Sequence, residues 1–267
     1  MSQPRPPRPT TALEVKGSEW LTPHMVRIIA GGDGFEDFVS NGFADAYVKI
    51  LFAADGTAFS EPIDVAAMRE TLPSDQWPKT RTYSIRSIDE DARELAIDFV
   101  IHGAEGIAAP WAANAKPGDL LQFVGPGGAW SPPEADYHLF VGDESALPAI
   151  AAGLERLPAN ARGMAIVEVH EHPLDVTHPE GVELHWVVRG SNDYDPGVLA
   201  SRVRALKLRE EGLSVFAHGE RESMKQLRPI FKELGLPRER LSISGYWAYG
   251  RIEDAFQAEK RTAIGKV

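Results

Sequence analysis

The chain has 267 residues, 43% of them apolar and 25% charged, an ordinary globular balance that excludes a fibrous or wholly disordered protein and suits two modest domains with a core each. A formal charge of −11 and a pI near 5.2 argue against nucleic acid or an anionic membrane as partner, because no cluster of Lys and Arg is large enough to release condensed counterions. With no cysteine in the chain, disulfides, iron–sulfur clusters and thiolate zinc sites are excluded, so redox chemistry here needs a borrowed organic cofactor.

The opening MSQPRPPRPTTALEV carries Arg and Pro but lacks the apolar core of a secretory signal, and no apolar run approaches a membrane span. The expectation is a cytoplasmic protein with no membrane insertion. Six strand signals follow between about residues 12 and 124: LEVKGSEWL, MVRIIAGG, YVKILFA, RTYSIRS, ELAIDFVIHG and LLQFVGPGG, separated by Gly, Asp and Pro turns. Short strands in such a series predict an antiparallel barrel, placed at residues 1–131. In ELAIDFVIHG, Leu95, Ile97, Phe99 and Ile101 alternate with Ala96, Asp98, Val100 and His102, and the acidic DEDAR turn joins this strand to the one before it as a hairpin. In HGAEGIAAPWAANAKPGD, Pro110 is predicted as a first helical residue, beside unsatisfied amides that favour an anion.

SPPEADY, 131–137, reads as a linker, and beyond it strands and helices alternate. Strands are predicted at LFVG, MAIVEVH, VELHWVV, LSVFAHG and LSISGYW, spaced for helical crossovers, which gives a parallel-sheet α/β domain over 132–250. DPGVLASRVRALKL predicts a helix opened by Asp195 and Pro196, and Met224, Leu227, Ile230, Phe231 and Leu234 form an apolar helical stripe. IEDAFQAEKRTA predicts a last amphipathic helix within 251–267, expected near the domain junction.

The residues with the most chemistry lie in KTRTYSIRSIDED, 79–91. Strand period puts Arg81, Tyr83 and Ile85 on one face and Thr82, Ser84 and Arg86 on the other. Arg81 can clasp a phosphate, Tyr83 offers a flat face for stacking, and Ser84 a hydroxyl for a ring nitrogen or carbonyl. A solvated edge strand, with Tyr83 in the barrel wall and Ser84 facing water, satisfies the same pattern. In LFVGDESALPAI the turn after an apolar strand falls where nucleotides bind to parallel sheets, yet it lacks GxGxxG; Asp143 and Ser145 can cap a helix or hydrogen-bond a nucleotide. FAHGERESM repeats that strand-to-turn form. His170, His172 and His178, near Glu168, Glu171 and Asp175, fall in or beside a Pro-rich loop and read as solvated rather than metal-binding. Arg202, Arg204, Lys207 and Arg209, followed by Glu210 and Glu211, read as a solvated helix face.

Arg81-Thr-Tyr-Ser-Ile-Arg86, HG followed by GIAAPWA, KPGD with GPGG, DESALPAI and GYWAYG, in that order over about residues 12 to 260, resemble the siderophore-interacting proteins, a family similar to ferredoxin reductases. The resemblance implies an N-terminal FAD-binding barrel, a C-terminal domain for NADH or NADPH, and reduction of a ferric siderophore with release of Fe(II). It assigns Arg81 to the FAD pyrophosphate, Tyr83 to stacking on the isoalloxazine and Ser84 to its N5, the latter two as the catalytic pair. By the same resemblance Thr82, Val100 and His102 would line that cofactor. Gly106, Ala108 and Ala109 with Trp111 resemble the phosphate turn, Asp143 and Ser145 the adenosine end, and Gly219 and Glu220 a nicotinamide-nucleotide turn. Trp247 resembles the aromatic near the flavin's open side, and Lys49 the basic residue that meets substrate; no protein-held metal is implied. Relatives often have Ser at Ala109, so one side-chain bond to the FAD phosphate is expected to be missing, and basic residues around Gly127 and Ala248, so a weaker pull on an anionic ferric complex is expected. Exchange of electrons with a ferredoxin-like partner, or siderophore binding without turnover, are the competing expectations.

Overall fold

The computed structural model describes residues 10–101, 106–191, 194–208, 210–260 and 262–267. The chain divides into two compact units, Met1–Ala129 and Trp130–Val267. In the first, β1 (Thr10–Thr22), β2 (Met25–Gly31), β3 (Tyr47–Phe52), β4 (Lys79–Asp89), β5 (Glu94–Val100) and β6 (Leu120–Gly127) form a closed barrel in the order β1-β2-β5-β4-β3-β6. Every pairing is antiparallel, including the closing one between β6 and β1.

Two-residue alternation explains the barrel's interior: Leu95, Ile97 and Phe99 of β5 are buried in one core with Val26 and Ile28 of β2 and Val48 and Ile50 of β3. On the other face of β5, Asp98 lies opposite Arg27 in register and accepts two bonds from its guanidinium, 2.7 and 2.8 Å. The alternation predicted for β4 holds through Ile85 and then breaks. Ile85 faces Ile97 while Ser87 faces Ala96, so Arg86 is an extra residue, and beyond it Ile88 packs on the core.

Helix α1 (Val65–Thr71) is not among the predicted elements; Asp64 caps it by accepting from the amides of Ala66 and Ala67 at 2.9 and 3.0 Å. Buried Gln122 anchors the preceding loop through Ile63 N and Glu61 O. Helix α2 spans Ala108–Asn114, so Pro110 is its third residue and not its first. The substitution is harmless because that position has no intrahelical acceptor either.

In the second unit, β7 (Tyr137–Asp143), β8 (Gly163–Val169), β9 (Val182–Val188), β10 (Leu213–Glu220) and β11 (Leu241–Trp247) form a wholly parallel sheet ordered β11-β10-β7-β8-β9. Helices α3 (Leu147–Leu154), α4 (Val198–Ala205) and α5 (Arg221–Glu233) supply three crossovers. The fourth, from β8 to β9, contains no helix among the described residues, contrary to the predicted spacing; Pro173 and Pro179 interrupt that short stretch. Leu139, Val141, Val215 and Ala217 share a core with Leu199 and Val203 of α4 and Met224, Leu227 and Phe231 of α5. Phe140 and Phe216, on the opposite face, pack with Trp130. Helix α4 begins after the predicted opening, because Asp195 accepts from Gly197 N at 2.8 Å and shapes the turn before it. The last helix, α6 (Glu253–Glu259), is shorter than predicted; it buries Phe256 and ties Glu259 to Arg221 and Arg251. Among the described residues no helix is long and apolar enough to cross a membrane.

Candidate functional site

In the barrel, register places Tyr83 opposite Val48 and Arg81 opposite Ile50, so both side chains leave β4 on the face of the core strands' inward residues. Tyr83 is half-buried, one side of its ring covered by Phe99 at 4.3 Å between centroids. Phe99 in turn meets Trp111 at 5.7 Å, and Trp111 meets Phe52 at 6.0 Å. This run of rings ties β4, β5 and β3 to α2 and fixes where α2 starts. Beside that start is a hollow of about 390 Å³ lined by Asp55, Gly56, Thr57, Ala58, Gly106, Ile107, Pro110 and Trp111. The Asp55 carboxylate is turned onto Thr57, accepting from its N and Oγ1 at 2.9 and 2.8 Å, which holds its pKa below the usual carboxylate value. Ala108 and Ala109 are buried, so only their backbone amides can serve a ligand. Lys49 and Thr82, paired in register, are exposed on the outer face of the barrel. Ser84 is on that face too, opposite Tyr47, but buried.

At the carboxyl-terminal edge of the parallel sheet the structure brings Asp143, Ser145, Glu220 and Trp247 into one hydrogen-bond network, with Gly219 packed against it. Asp143 Oδ1 accepts from Ser145 N and Oγ, at 2.9 and 2.5 Å, and its Oδ2 from Glu220 N and Trp247 Nε1, at 2.7 and 2.9 Å. Four donors fill the acceptor capacity of one carboxylate. Burial raises the Asp143 pKa while those donors oppose the rise. Glu220 is used just as fully. Its Oε2 accepts from Tyr194 Oη and from the α5 amides of Glu222 and Ser223, at 2.6 and 3.0 Å, and its Oε1 from Tyr249 N at 3.0 Å. Gly219, at φ +150°, sits where a Cβ would come within 2.7 Å of Asp143 Oδ2.

Around this network lie groups that the sequence reading did not assign to it. Glu168, buried at the end of β8 with Arg189 at 3.7 Å, is pushed up to about 7, first by burial and then by Asp143. The Tyr194 phenol is driven well above its ordinary value by burial and by Glu220. Tyr194 and Tyr249 stack with centroids 4.8 Å apart and planes at 16°. GYWAYG made Tyr249 visible, but nothing local pairs it with Tyr194, 55 positions earlier in the sequence. The expected neutral positions differ in room: Ala248 is buried, and a Cβ on Gly127 would meet the Tyr47 ring at 2.3 Å. His102 lies outside the described residues, and Val100 ends β5, half-buried.

A closed six-stranded antiparallel barrel followed in sequence by a parallel five-stranded sheet is the fold of the ferredoxin reductases. Plasmodium falciparum ferredoxin–NADP+ reductase shares it at TM-score 0.64 and 13% identity, over 89% of this chain and 96% of that one. A family model described as the siderophore-interacting FAD-binding domain matches residues 14–130, and one described as siderophore-interacting protein matches 135–250. The chain belongs to the siderophore-interacting protein family. An uncharacterized protein of Mycobacterium tuberculosis is 41% identical over 95% of each chain. The ferric vibriobactin reductase ViuB of Vibrio cholerae is 31% identical over 94% of each. The NADPH-dependent ferric-chelate reductase of Escherichia coli is 30% identical over 90% of this chain and 92% of its own. The crystal structure of the siderophore-interacting protein SipS from Aeromonas hydrophila matches at TM-score 0.81 and 32% identity, covering 96% of this chain and 97% of that one.

Proposed function

We propose that the protein is an FAD-dependent reductase that takes electrons from NADH or NADPH and delivers them to a ferric siderophore, releasing Fe(II). The observation that carries this reading is the common face of Arg81 and Tyr83 on β4, in a barrel whose α2 start opens onto a hollow. FAD, when bound, accepts a hydride and returns its electrons singly, so one NAD(P)H reduces two Fe(III) and leaves one proton. The chain's own residues bind and orient. Arg81 answers the diphosphate with charge-assisted bonds, about 1.5–3 kcal/mol each, joined by the backbone around Gly106, Ala108 and Ala109 and by Trp111. Tyr83, backed by Phe99, offers its other face to the flat ring, with Ser84 as hydroxyl partner and Thr82, Val100 and His102 as flanking positions. Lys49 meets the ferric complex. In the second unit Asp143, Ser145, Gly219, Glu220 and Trp247 shape the edge where the nicotinamide nucleotide binds, a strand-end position typical of open α/β sheets. Their carboxylates act as struts, since protein donors already fill them. We place the reaction in the cytoplasm, where NAD(P)H is available.

The test is reconstitution with FAD, removal of free cofactor by gel filtration, and anaerobic assay of flavin bleaching and chelator-trapped Fe(II) with NADH, NADPH or reduced ferredoxin as donor. A colourless protein ends the flavin reading. A yellow protein that yields no Fe(II) from any ferric siderophore ends the reductase reading, and bleaching by ferredoxin alone replaces the nucleotide as donor. Arg81→Ala should loosen FAD, and Tyr83→Ala should change flavin reactivity as well; unaltered retention and rate in both variants would remove their assigned roles.

A further inference from the structure

We propose that the stacked pair Tyr194–Tyr249, at the carboxyl-terminal edge of the parallel sheet, is a seat for a planar, uncharged or cationic ring of a bound ligand. The inference rests on the reductase reading for what the ligands are, and on the second unit alone for what the seat accepts. Tyr249 is 62% exposed, yet its position is built. It occupies a turn in which Arg251 N donates to Ala248 O at 3.0 Å and Gly250 adopts φ +70°, a left-handed corner that suits glycine. Both tyrosines hang from one carboxylate: Glu220 accepts the Tyr194 hydroxyl on Oε2 and the Tyr249 amide on Oε1. Ser223 Oγ braces the same hydroxyl at 3.0 Å, and the Trp247 ring lies 6.2 Å from Tyr194. A rigid, mostly exposed phenol already stacked on its inner side presents its outer side for a third ring.

The sign of the ligand follows from the same carboxylate. The start of a 13-residue helix such as α5 would ordinarily take a phosphate. Here the amides of Glu222 and Ser223 are already occupied by Glu220 Oε2, which closes that anion seat. Asp143 and Glu220 both raise the Tyr194 pKa by their charge, and Asp143, Glu144 and Asp195 do the same at Glu168, with Arg189 opposing there. A neutral or positive ring gains from such surroundings, whereas a phosphate or a polyanionic chelate is repelled. Two sources carry that chemistry: the nicotinamide ring of the electron donor, and an aryl chelating ring of a ferric siderophore of low net charge.

Equilibrium binding to the full-length, FAD-reconstituted protein separates them. The probes are NAD+, the ferric complex of a hydroxyphenyl-oxazoline chelator, and a ferric trihydroxamate that has no aromatic ring, each titrated against wild type, Tyr249→Ala and Tyr249→Phe. The expected result is a rise of about five- to tenfold in Kd for one ring-bearing probe in Tyr249→Ala, restored in Tyr249→Phe, with trihydroxamate binding and FAD content unchanged; the probe affected names the source. Equal affinities in all variants, equal weakening of the trihydroxamate, a Phe variant no better than Ala, or wild type that binds neither ring-bearing probe overturns the proposal. Wild type that retains no FAD but still shows the Tyr249-dependent binding sinks the reductase reading and leaves the ring seat standing.

Discussion

Glu168→Gln tests whether the strand-end carboxylates are held against their own repulsion. Glu168 is 7% exposed and its pKa is raised from 4.5 to about 7, by burial first and by Asp143 second. At ~1.36 kcal/mol per pH unit that change corresponds to about 3 kcal/mol. Between those two values the folded protein holds a proton that the unfolded chain has released, so the folded state binds more protons and stability falls as pH rises. The penalty is absent below 4.5 and complete above 7. Glutamine keeps the shape without the charge, and the lost 3.7 Å pairing with Arg189 is already counted in that figure, since Arg189 opposes the rise. The variant should therefore be about 3 kcal/mol more stable than wild type at pH 8, and the difference should shrink to under about 1 kcal/mol by pH 5, where the wild-type side chain is itself protonated in the fold. Urea unfolding from pH 5 to 8, followed by tryptophan fluorescence, measures the difference directly, and other groups that titrate in that window cancel in it. A difference that does not vary with pH, or a variant less stable than wild type at pH 8, refutes the reasoning.

His218, stacked on Phe216 at 3.9 Å and pushed down from 6.5 to about 3 by burial, stays neutral in the fold while the unfolded chain takes up a proton. Its effect has the opposite sign: stability is lost as pH falls from 6.5 toward 3, and His218→Phe should move the acid-unfolding midpoint to lower pH, an unmoved midpoint counting against us. Gly219→Ala should cost about 1–3 kcal/mol, because the new Cβ meets Asp143 Oδ2 at 2.7 Å at φ +150°; thermal unfolding identical to wild type would show that the β10 end yields freely. Arg27→Ala strands the Asp98 carboxylate, whose side chain is 3% exposed, and should cost about 3 kcal/mol. Adding Asp98→Ala should recover part of that loss, and a double variant as unstable as the sum of the singles would deny the pairing.

Much of the barrel and sheet was legible because a strand's pattern is local. Alternation in ELAIDFVIHG names the inward residues without knowledge of any partner, and the face shared by Arg81 and Tyr83 follows from two-residue spacing. The stripe from Met224 to Phe231 likewise names the buried side of α5. What escaped were features set by a neighbour. The extra residue at Arg86 exists only relative to β5, and α1, with no apolar stripe of its own, follows a loop that Gln122 holds from β6. The strand-end network belongs to the same group. The turn after β7 offered Asp143, and the family resemblance Glu220, as nucleotide contacts, but the Asp143 bonds to Glu220 N and Trp247 Nε1 span 77 and 104 residues. Local sequence determines which atoms can accept a hydrogen bond; which donors reach them depends on how the ends of separate strands are stacked, and only the folded sheet decides that.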